Sequence, residues 1–203
     1  MITAMGDIMR EAHRRGWITT RDGNISLRRR GSKHMYITPS GWRKTTLFPE
    51  HMIKIEICPS GLIIPEGVKP SGELDMHSYL QRDAVGTRAV VHLHPTNIIA
   101  AMYAGWDLQH IASEFPEVSR YTKVGRSTPI LPATSNALAT ATYNSFNEEG
   151  TAKLKCDIVG QANHGVCSVG ANPWDAFEHI ERLEHVCEIV LKSGKIPYRT
   201  RRF

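Results

Sequence analysis

The sequence predicts an α/β fold, because helical and extended patterns alternate along the chain. Residues 2–15 place apolar side chains on one helix face, and residues 89–94 form a β-branched run that is typical of a buried strand. A long amphipathic helix follows near the end, beginning after Asn172 and ending at Gly194. A length of 203 residues suits one domain, so we predict a single domain over residues 1–203.

The remaining elements are predicted from turn and cap signals. A helix is expected over residues 72–82, with Ser71 as its N-cap. Another is expected over 96–104, after the strand that ends at Pro95. Short strands are expected beside Gly, Pro and Asn turns, at residues 25–27, 35–38, 52–56, 61–64, 157–160 and 166–169.

The net charge of +5 comes largely from arginine clusters, at residues 28–30 and at Arg199, Arg201 and Arg202. Such clusters bind nucleic acid or attract anionic substrates in some proteins. Here no aromatic stripe or nucleic-acid-binding module accompanies them. We interpret them as solvated edges of the chain and expect no nucleic-acid partner.

Cysteine usage and hydropathy bear on the cellular compartment. The chain has four cysteines, at positions 58, 156, 167 and 187. They form no C-x-x-C pair and are too few for a disulfide scaffold of this length, so we expect reduced thiols. Asp7, Arg10 and Glu11 stand where a signal peptide would be apolar, and no apolar run is long enough to span a membrane. We therefore expect a cytoplasmic protein without a membrane partner.

His92-Leu93-His94 is the strongest local signal for chemistry. Alternate residues of a strand point to the same face, so both imidazoles can converge on one ion, to which each bond needs only about 2 Å. The pair ends a buried strand and meets Pro95, at a position where loops commonly build sites. By itself the pair fits either a metal site or two packed histidines.

Two further candidates lie elsewhere in the chain. His164 lies on a turn before Gly165, where glycine permits close backbone approach, so it is either a third ligand or a polar turn residue. Three histidines with an open fourth position are typical of a catalytic zinc site. Glu73 lies in the first turn of a predicted helix, where it either stabilises the helix dipole or transfers a proton beside the metal.

Three glycine- or serine-rich turns offer backbone N–H groups and small hydroxyls to an anion. They are Gly23-Asn24, Ser40-Gly41 and Ser71-Gly72. The third also lies at a predicted helix N-terminus, which suits a phosphate group. Each turn alone is more typical of an ordinary connection than of an anion site.

Five of these segments together resemble the class II aldolase/adducin family. They occur in the family's order, at residues 22–26, 37–41, 70–73, 91–95 and 162–165. The resemblance implies a three-layer α/β/α sandwich around a mixed, largely antiparallel sheet. It also implies a homotetramer with active sites at subunit interfaces, and a phosphorylated sugar as the substrate.

The resemblance further implies a role for each candidate residue. His92, His94 and His164 fall on the family's zinc ligands, with Mn²⁺ or Co²⁺ as other candidate metals, and Glu73 falls on its acid/base position. The substrate phosphate would bind at the three turns, through Gly23, Asn24, Ser40, Gly41, Ser71 and the backbone N–H of Gly72.

Two departures from the family bear on the activity. The family commonly has a second serine before the glutamate, where this chain has Gly72, so one hydroxyl contact is lost. The family's fuculose-phosphate type of aldolase carries a catalytic tyrosine some twenty residues after the His-x-His pair. Near that position this chain has His110, Ser113, Glu114 and Phe115, with Tyr121 beyond. The second proton donor is therefore left open.

The residues and the resemblance together predict a zinc-dependent lyase that cleaves a ketose 1-phosphate to dihydroxyacetone phosphate and an aldehyde. A divalent metal would stabilise the negative charge left beside the ketone, and Glu73 would protonate the carbon. Dehydration, epimerisation or decarboxylation of a sugar phosphate is the alternative within the same fold. A non-catalytic adducin-like interaction module is another alternative, which the presence of all three histidines and Glu73 disfavours.

Overall fold

A seven-stranded sheet lies at the centre of the computed structural model, which describes residues 1–83, 86 and 88–195. The strands are β1 (Asn24–Arg28), β2 (His34–Ile37), β3 (Ile53–Cys58), β4 (Gly61–Ile63), β5 (Arg88–Leu93), β6 (Ile158–Gln161) and β7 (Gly165–Gly170). Their order is β4-β3-β2-β1-β5-β7-β6, and neighbouring strands are antiparallel. Val124 and Thr128 add isolated parallel bridges to β6, so the sheet is mixed and largely antiparallel, as predicted.

Helices cover both faces of this sheet. They are α1 (Ile2–Arg14), α2 (Leu74–Arg82), α3 (Thr96–Tyr103), α4 (Leu108–Ser113), α5 (Pro116–Tyr121), α6 (Asn136–Phe146) and α7 (Pro173–Ser193). Helices α1, α3 and α7 share one hydrophobic core with the sheet, and α2 and α6 share another on the opposite face. This arrangement is the predicted three-layer α/β/α sandwich. The sequence patterns above do not predict α4, α5 or α6.

Strand β5 shows how the period of a strand sorts side chains between the layers. Ala89, Val91 and Leu93 pack in the core with α1 and α7, whereas Val90 packs in the core with α2 and α6. Because alternate residues share a face, His92 lies on the same side as Val90. The buried strand therefore presents His92 to the layer that contains helix α2.

Helix α7 has the boundaries that its sequence predicts. The Asn172 side-chain oxygen accepts hydrogen bonds from the N–H groups of Trp174 at 2.9 Å and Asp175 at 3.1 Å. Gly194 ends the helix with a φ of 69°, a left-handed conformation that favours glycine. Both caps satisfy helix-terminal groups that would otherwise lack partners.

Glu184 links α7 to the chain beyond the His-x-His pair. Its buried carboxylate accepts hydrogen bonds from the N–H groups of Asn97 and Ile98, at 3.0 and 2.9 Å, and from the Asn97 side chain at 2.9 Å. Burial raises the pKa of Glu184, and these hydrogen bonds oppose that shift. Glu184 thus caps the start of α3, shortly after His94.

The predicted start of α2 is wrong by two residues, and Ser71 is not its N-cap. The helix begins at Leu74, with Glu73 at the N-cap position. Ser71 N donates to Thr38 O at 3.1 Å, which keeps Ser71 beside the end of β2 rather than at the helix. Its hydroxyl instead accepts from Glu73 N at 3.3 Å, within the turn that connects the sheet to α2.

The arginine cluster at residues 28–30 is only partly a solvated edge. Arg28 is half-buried, and its guanidinium donates to Ser32 O at 2.8 Å and Gln81 O at 2.6 Å. The C-terminal arginines of the second cluster, from Arg199 onward, lie outside the described residues.

The four cysteines are free thiols, as predicted. Among the described helices, none is long and apolar enough to cross a membrane.

Candidate metal centre and active site

The predicted site residues line a single cleft of about 340 Å³. They are Gly23, Asn24, Ser40, Gly41, Ser71, Gly72, Glu73, His92, His94 and His164. Strand β1 begins beside the end of β5, where Asn24 pairs with His92. Antiparallel pairing therefore brings segments that are distant in sequence to one end of the sheet.

The three histidines form a compact cluster at this end of the sheet. One candidate ligand nitrogen from each lies within 4.8 Å of the others. The Nε2 atoms of His92 and His94 are 2.9 Å apart. Two nitrogens bound to one tetrahedral zinc ion lie about 3.3 Å apart, given bonds of about 2.0–2.1 Å. The cluster therefore has the dimensions of a site for one divalent ion.

The surroundings of His92 and His94 set the form in which they can bind a metal. His92 Nδ1 donates to Val166 O at 2.9 Å, which leaves Nε2 facing the cluster. Burial lowers the pKa of His92 and that of His94 to about 3 each. Both imidazoles are therefore neutral near pH 7, the form that coordinates metal ions.

A tight turn between β6 and β7 brings His164 to the other two histidines. Asn163 has a φ of 57°, in the left-handed region, and His164 N donates to Gln161 O at 2.9 Å. A Cβ atom at Gly165 would lie 2.5 Å from Leu93 O and 2.8 Å from His94 Cδ2. Only glycine at position 165 permits the turn to approach β5 this closely.

Glu73 lies directly against the histidine cluster. Its side chain is 7% exposed, with Oε2 at 3.3 Å from His92 Nε2 and Oε1 at 3.8 Å from His164 Nε2. Within the described part of the chain, Glu73 Oε2 and His164 Nδ1 are buried without a hydrogen-bond partner. Buried polar atoms without partners are rare in proteins and commonly mark the place of an ion or ligand. The donor set thus fits a catalytic divalent ion such as zinc.

His77, which the sequence patterns do not single out, is fully buried next to the cleft on α2. Burial lowers its pKa to about 3, so one ring nitrogen donates and the other accepts. Its Nε2 lies 2.5 Å from Asn24 Oδ1, and its Nδ1 lies 2.7 Å from Ser26 Oγ. Since Asn24 Oδ1 can only accept, Nε2 donates to it. His77 thereby occupies the Asn24 oxygen and leaves the Asn24 amide N–H groups for other partners.

The packing around Gly72 gives a steric reason for the missing second serine. A Cβ atom at Gly72 would lie 3.1 Å from Thr134 Cγ2, which is tighter than an ordinary contact. Thr134 also lines the cleft and has a φ of 61°, which is rare for a β-branched residue. Such backbone strain is concentrated at functional sites. Thr134 is thus a cleft residue that sequence patterns do not reveal.

Tyr121 does not lie in this cleft. It ends helix α5 and lines a different cleft, together with His179 and Arg182. No tyrosine is found among the described residues that line the histidine cleft. Within residues 1–83, 86 and 88–195, a single chain therefore offers no tyrosine as a second proton-transfer group beside the histidines.

These features define a protein of the class II aldolase type, with an α/β/α sandwich and a histidine cluster at the end of its sheet. The family model described as class II aldolase and adducin N-terminal domain matches residues 3–191. The chain therefore belongs to the class II aldolase/adducin family.

Individual relatives differ in their named activities. The chain is 28% identical over 200 residues to a probable bifunctional methylthioribose-1-phosphate isomerase/methylthioribulose-1-phosphate dehydratase of Nocardia farcinica, which covers 92% of this chain. The match covers 34% of that protein, so the chain spans about a third of its length. The chain is also 28% identical over 178 residues to a 5-deoxy-D-ribulose 1-phosphate aldolase of Bacillus thuringiensis, covering 86% of this chain and 76% of the relative.

A solved structure shares the fold over almost its whole length. The crystal structure of a sugar-phosphate aldolase from Thermotoga maritima superposes with a TM-score of 0.76, covering 97% of each chain at 21% identity. The similarity confirms the class II aldolase architecture that the sequence motifs imply.

Proposed function

We propose that the protein is a metal-dependent lyase for a phosphorylated ketose, and that it cleaves a ketose 1-phosphate to dihydroxyacetone phosphate and an aldehyde. The main support for this proposal is the set of side chains that line the cleft. It combines three histidine nitrogens within 4.8 Å of one another with a buried carboxylate 3.3 Å from one of them. Membership of the class II aldolase/adducin family supports the same chemistry.

In this proposal His92, His94 and His164 hold one divalent ion, with zinc as the first choice and Mn²⁺ or Co²⁺ as alternatives. When bound, the ion supplies Lewis-acid stabilisation of negative charge beside the substrate carbonyl. Neutral imidazoles carry no charge of their own, so they leave the full positive charge of the ion for that purpose. The low pKa of His92 and of His94 supports this ligand form.

Glu73 is the proposed proton-transfer group. Its Oε2 faces the histidine cluster without a hydrogen-bond partner among the described residues, so it is available to a substrate atom. In the cleavage direction Glu73 delivers a proton to the carbon of the ketone fragment that loses the aldehyde. In the condensation direction it removes a proton from the same carbon.

The three turns are the proposed phosphate site. Ser40 and Ser71 offer hydroxyls, and Gly41 and Gly72 offer backbone N–H groups that no side chain shields. His77 holds the oxygen of Asn24, which leaves the Asn24 amide N–H groups as donors. The oxygens of a phosphate group can accept hydrogen bonds from all of these donors.

Dehydration of a sugar phosphate is the second candidate, and one observation favours it. Aldol cleavage needs a group that takes the proton from the hydroxyl that becomes the aldehyde, and within the described residues no tyrosine lines the cleft. Dehydration removes water β to the carbonyl and breaks no carbon–carbon bond. The Nocardia farcinica relative carries a methylthioribulose-1-phosphate dehydratase name.

Product analysis tests the proposal and separates the two reactions. The zinc-loaded protein is incubated with dihydroxyacetone phosphate and a panel of aldehydes, and in separate reactions with a panel of ketose 1-phosphates. The products are identified by mass spectrometry. A longer-chain ketose phosphate supports the aldolase proposal. Loss of water from the ketose 1-phosphates tested, without chain shortening, supports dehydration instead. If no substrate gives either product, the lyase proposal is overturned.

We also propose that the enzyme is a cytoplasmic homotetramer, as in the family that the motifs resemble. A neighbouring subunit would then supply the proton acceptor that is not found among the described residues of the cleft. Light scattering on the purified protein is expected to give the mass of four chains.

Ser71→Ala is expected to raise KM for a phosphorylated substrate about ten- to a hundredfold, because a charge-assisted hydrogen bond contributes roughly 1.5–3 kcal/mol. Turnover of an unphosphorylated analogue should hardly change. The hydroxyl also accepts from Glu73 N, so thermal unfolding is measured as a control. Equal losses on both substrates at unchanged stability would show that Ser71 does not bind phosphate.

A further inference from the structure

Lys44 is a buried cation in the wall of the cleft. It begins a short 3-10 helix, Lys44–Thr46, just after the Ser40-Gly41 turn, and its backbone N–H donates to Thr20 O at 2.8 Å. Its exposed fraction is 3%, and it lines the same cleft as the histidines. Lysine is rarely buried to this extent unless its charge is paired.

No carboxylate of the described residues lies within 4.0 Å of the Lys44 ammonium. Its one hydrogen-bond partner among them is Pro39 O, at 3.5 Å, which is longer than a normal hydrogen bond. Burial lowers the pKa of Lys44, and the charge of Asp22 opposes that shift from a longer distance. The buried carboxylate of Glu184, by contrast, accepts three hydrogen bonds. Among the described residues, Lys44 therefore has no direct ion-pair partner, and only the more distant charge of Asp22 partly compensates its own.

We propose that Lys44 is the counter-charge for the phosphoryl group of the substrate. The inference rests on the proposed function, because it requires a phosphorylated ligand in the cleft. The turns at Gly23-Asn24 and Ser40-Gly41 line the cleft beside Lys44 and offer neutral donors. An ammonium group adds a charge-assisted hydrogen bond, which is about twice as strong as a neutral one.

The proposal explains how the cleft can lack the second serine hydroxyl. Gly72 contributes only its backbone N–H, and Thr134 fills the adjacent space. A buried positive charge favours a phosphate dianion over a neutral group of similar shape far more than one hydroxyl does. Arg21 also lines the cleft, but its side chain is exposed, so solvent weakens its attraction.

The test compares ligand binding by Lys44→Met and by a matched control, Arg43→Met. Arg43 is adjacent and exposed and is not among the cleft residues, so both variants lose one positive charge. Binding of dihydroxyacetone phosphate and of dihydroxyacetone to the zinc-loaded proteins is measured by calorimetry. Lys44→Met should weaken binding of the phosphorylated ligand about ten- to a hundredfold and leave that of dihydroxyacetone unchanged. Arg43→Met should change neither, and Lys44→Arg should restore part of the lost affinity.

Thermal unfolding without ligand separates a binding role from a structural one. Lys44→Met should unfold at the wild-type temperature or above it, because the substitution removes an unpaired buried charge. A lower unfolding temperature with equal weakening of both ligands would overturn the inference and make Lys44 a structural residue. Unchanged phosphate affinity in Lys44→Met, with weakened affinity in Ser71→Ala, would overturn the inference and leave the proposed function standing. A wild-type protein that does not prefer the phosphorylated ligand would overturn both.

Discussion

Glu73→Gln is expected to retain the bound metal and to lower turnover by a factor of about 10² to 10⁴, the usual contribution of a general acid/base. Glutamine has nearly the same shape as glutamate but cannot carry the proton. Because Glu73 is placed beside the three histidines and not among the proposed ligands, metal content should stay at one ion per chain. Steady-state kinetics on the zinc-loaded variant, with metal content measured in parallel, provide the check.

Asp75→Asn is the matched control for the Glu73 variant. Asp75 is an exposed carboxylate two residues further along, on helix α2, and it does not line the histidine cleft. Removing its charge should leave turnover near the wild-type value. Near-normal activity of a metal-loaded Glu73→Gln enzyme would show that Glu73 has only a structural role at the start of helix α2.

Replacing any one of His92, His94 and His164 with alanine is expected to remove the metal and to abolish activity. Two remaining imidazoles form an incomplete site, and the main hydrophobic cores lie elsewhere in the sandwich. His94→Ala and His164→Ala should keep the fold, because both side chains are only partly buried. His92→Ala should also lower stability, since it leaves a cavity and removes the hydrogen bond to Val166 O.

Elemental analysis of the dialysed variants measures their metal content, and circular dichroism with thermal unfolding measures their fold and stability. His185→Ala is the control, because His185 is an exposed histidine on α7 that lines a different cleft. Stoichiometric metal in the triple histidine variant would show that the ion is bound elsewhere.

The elements that sequence predicts well carry their signals locally. Helix α7 is long and has a cap at each end, so both the spacing of its apolar residues and its boundaries can be predicted from the sequence. Helices α4 and α5 have six residues each, which is too short for a periodic pattern. Helix α6 contains Thr, Asn, Tyr and Ser, which are weak helix formers. Its contacts with α2 and β6, including buried Phe146, stabilise it instead.

The same contrast between local signals and tertiary contacts applies to the residues of the site. The His-x-His spacing is local, so the sequence alone predicts that His92 and His94 share a strand end. His164 and Glu73 reach them only through the pairing of β5 with β7 and the packing of α2 on the sheet. The resemblance to the family implies their proximity, and their roles remain proposals. Lys44 and His77 matter because of their burial, which no sequence pattern signals.

We propose that the histidine cluster and Glu73 form one metal-dependent proton-transfer site for a phosphorylated ketone. The most direct test is exchange of the hydroxymethyl hydrogen of dihydroxyacetone phosphate for deuterium in D₂O, followed by proton NMR. We predict exchange by the zinc-loaded wild type, and almost none after chelation or in zinc-loaded Glu73→Gln. Exchange that survives metal removal, or that proceeds at the wild-type rate in Glu73→Gln, would contradict the claim.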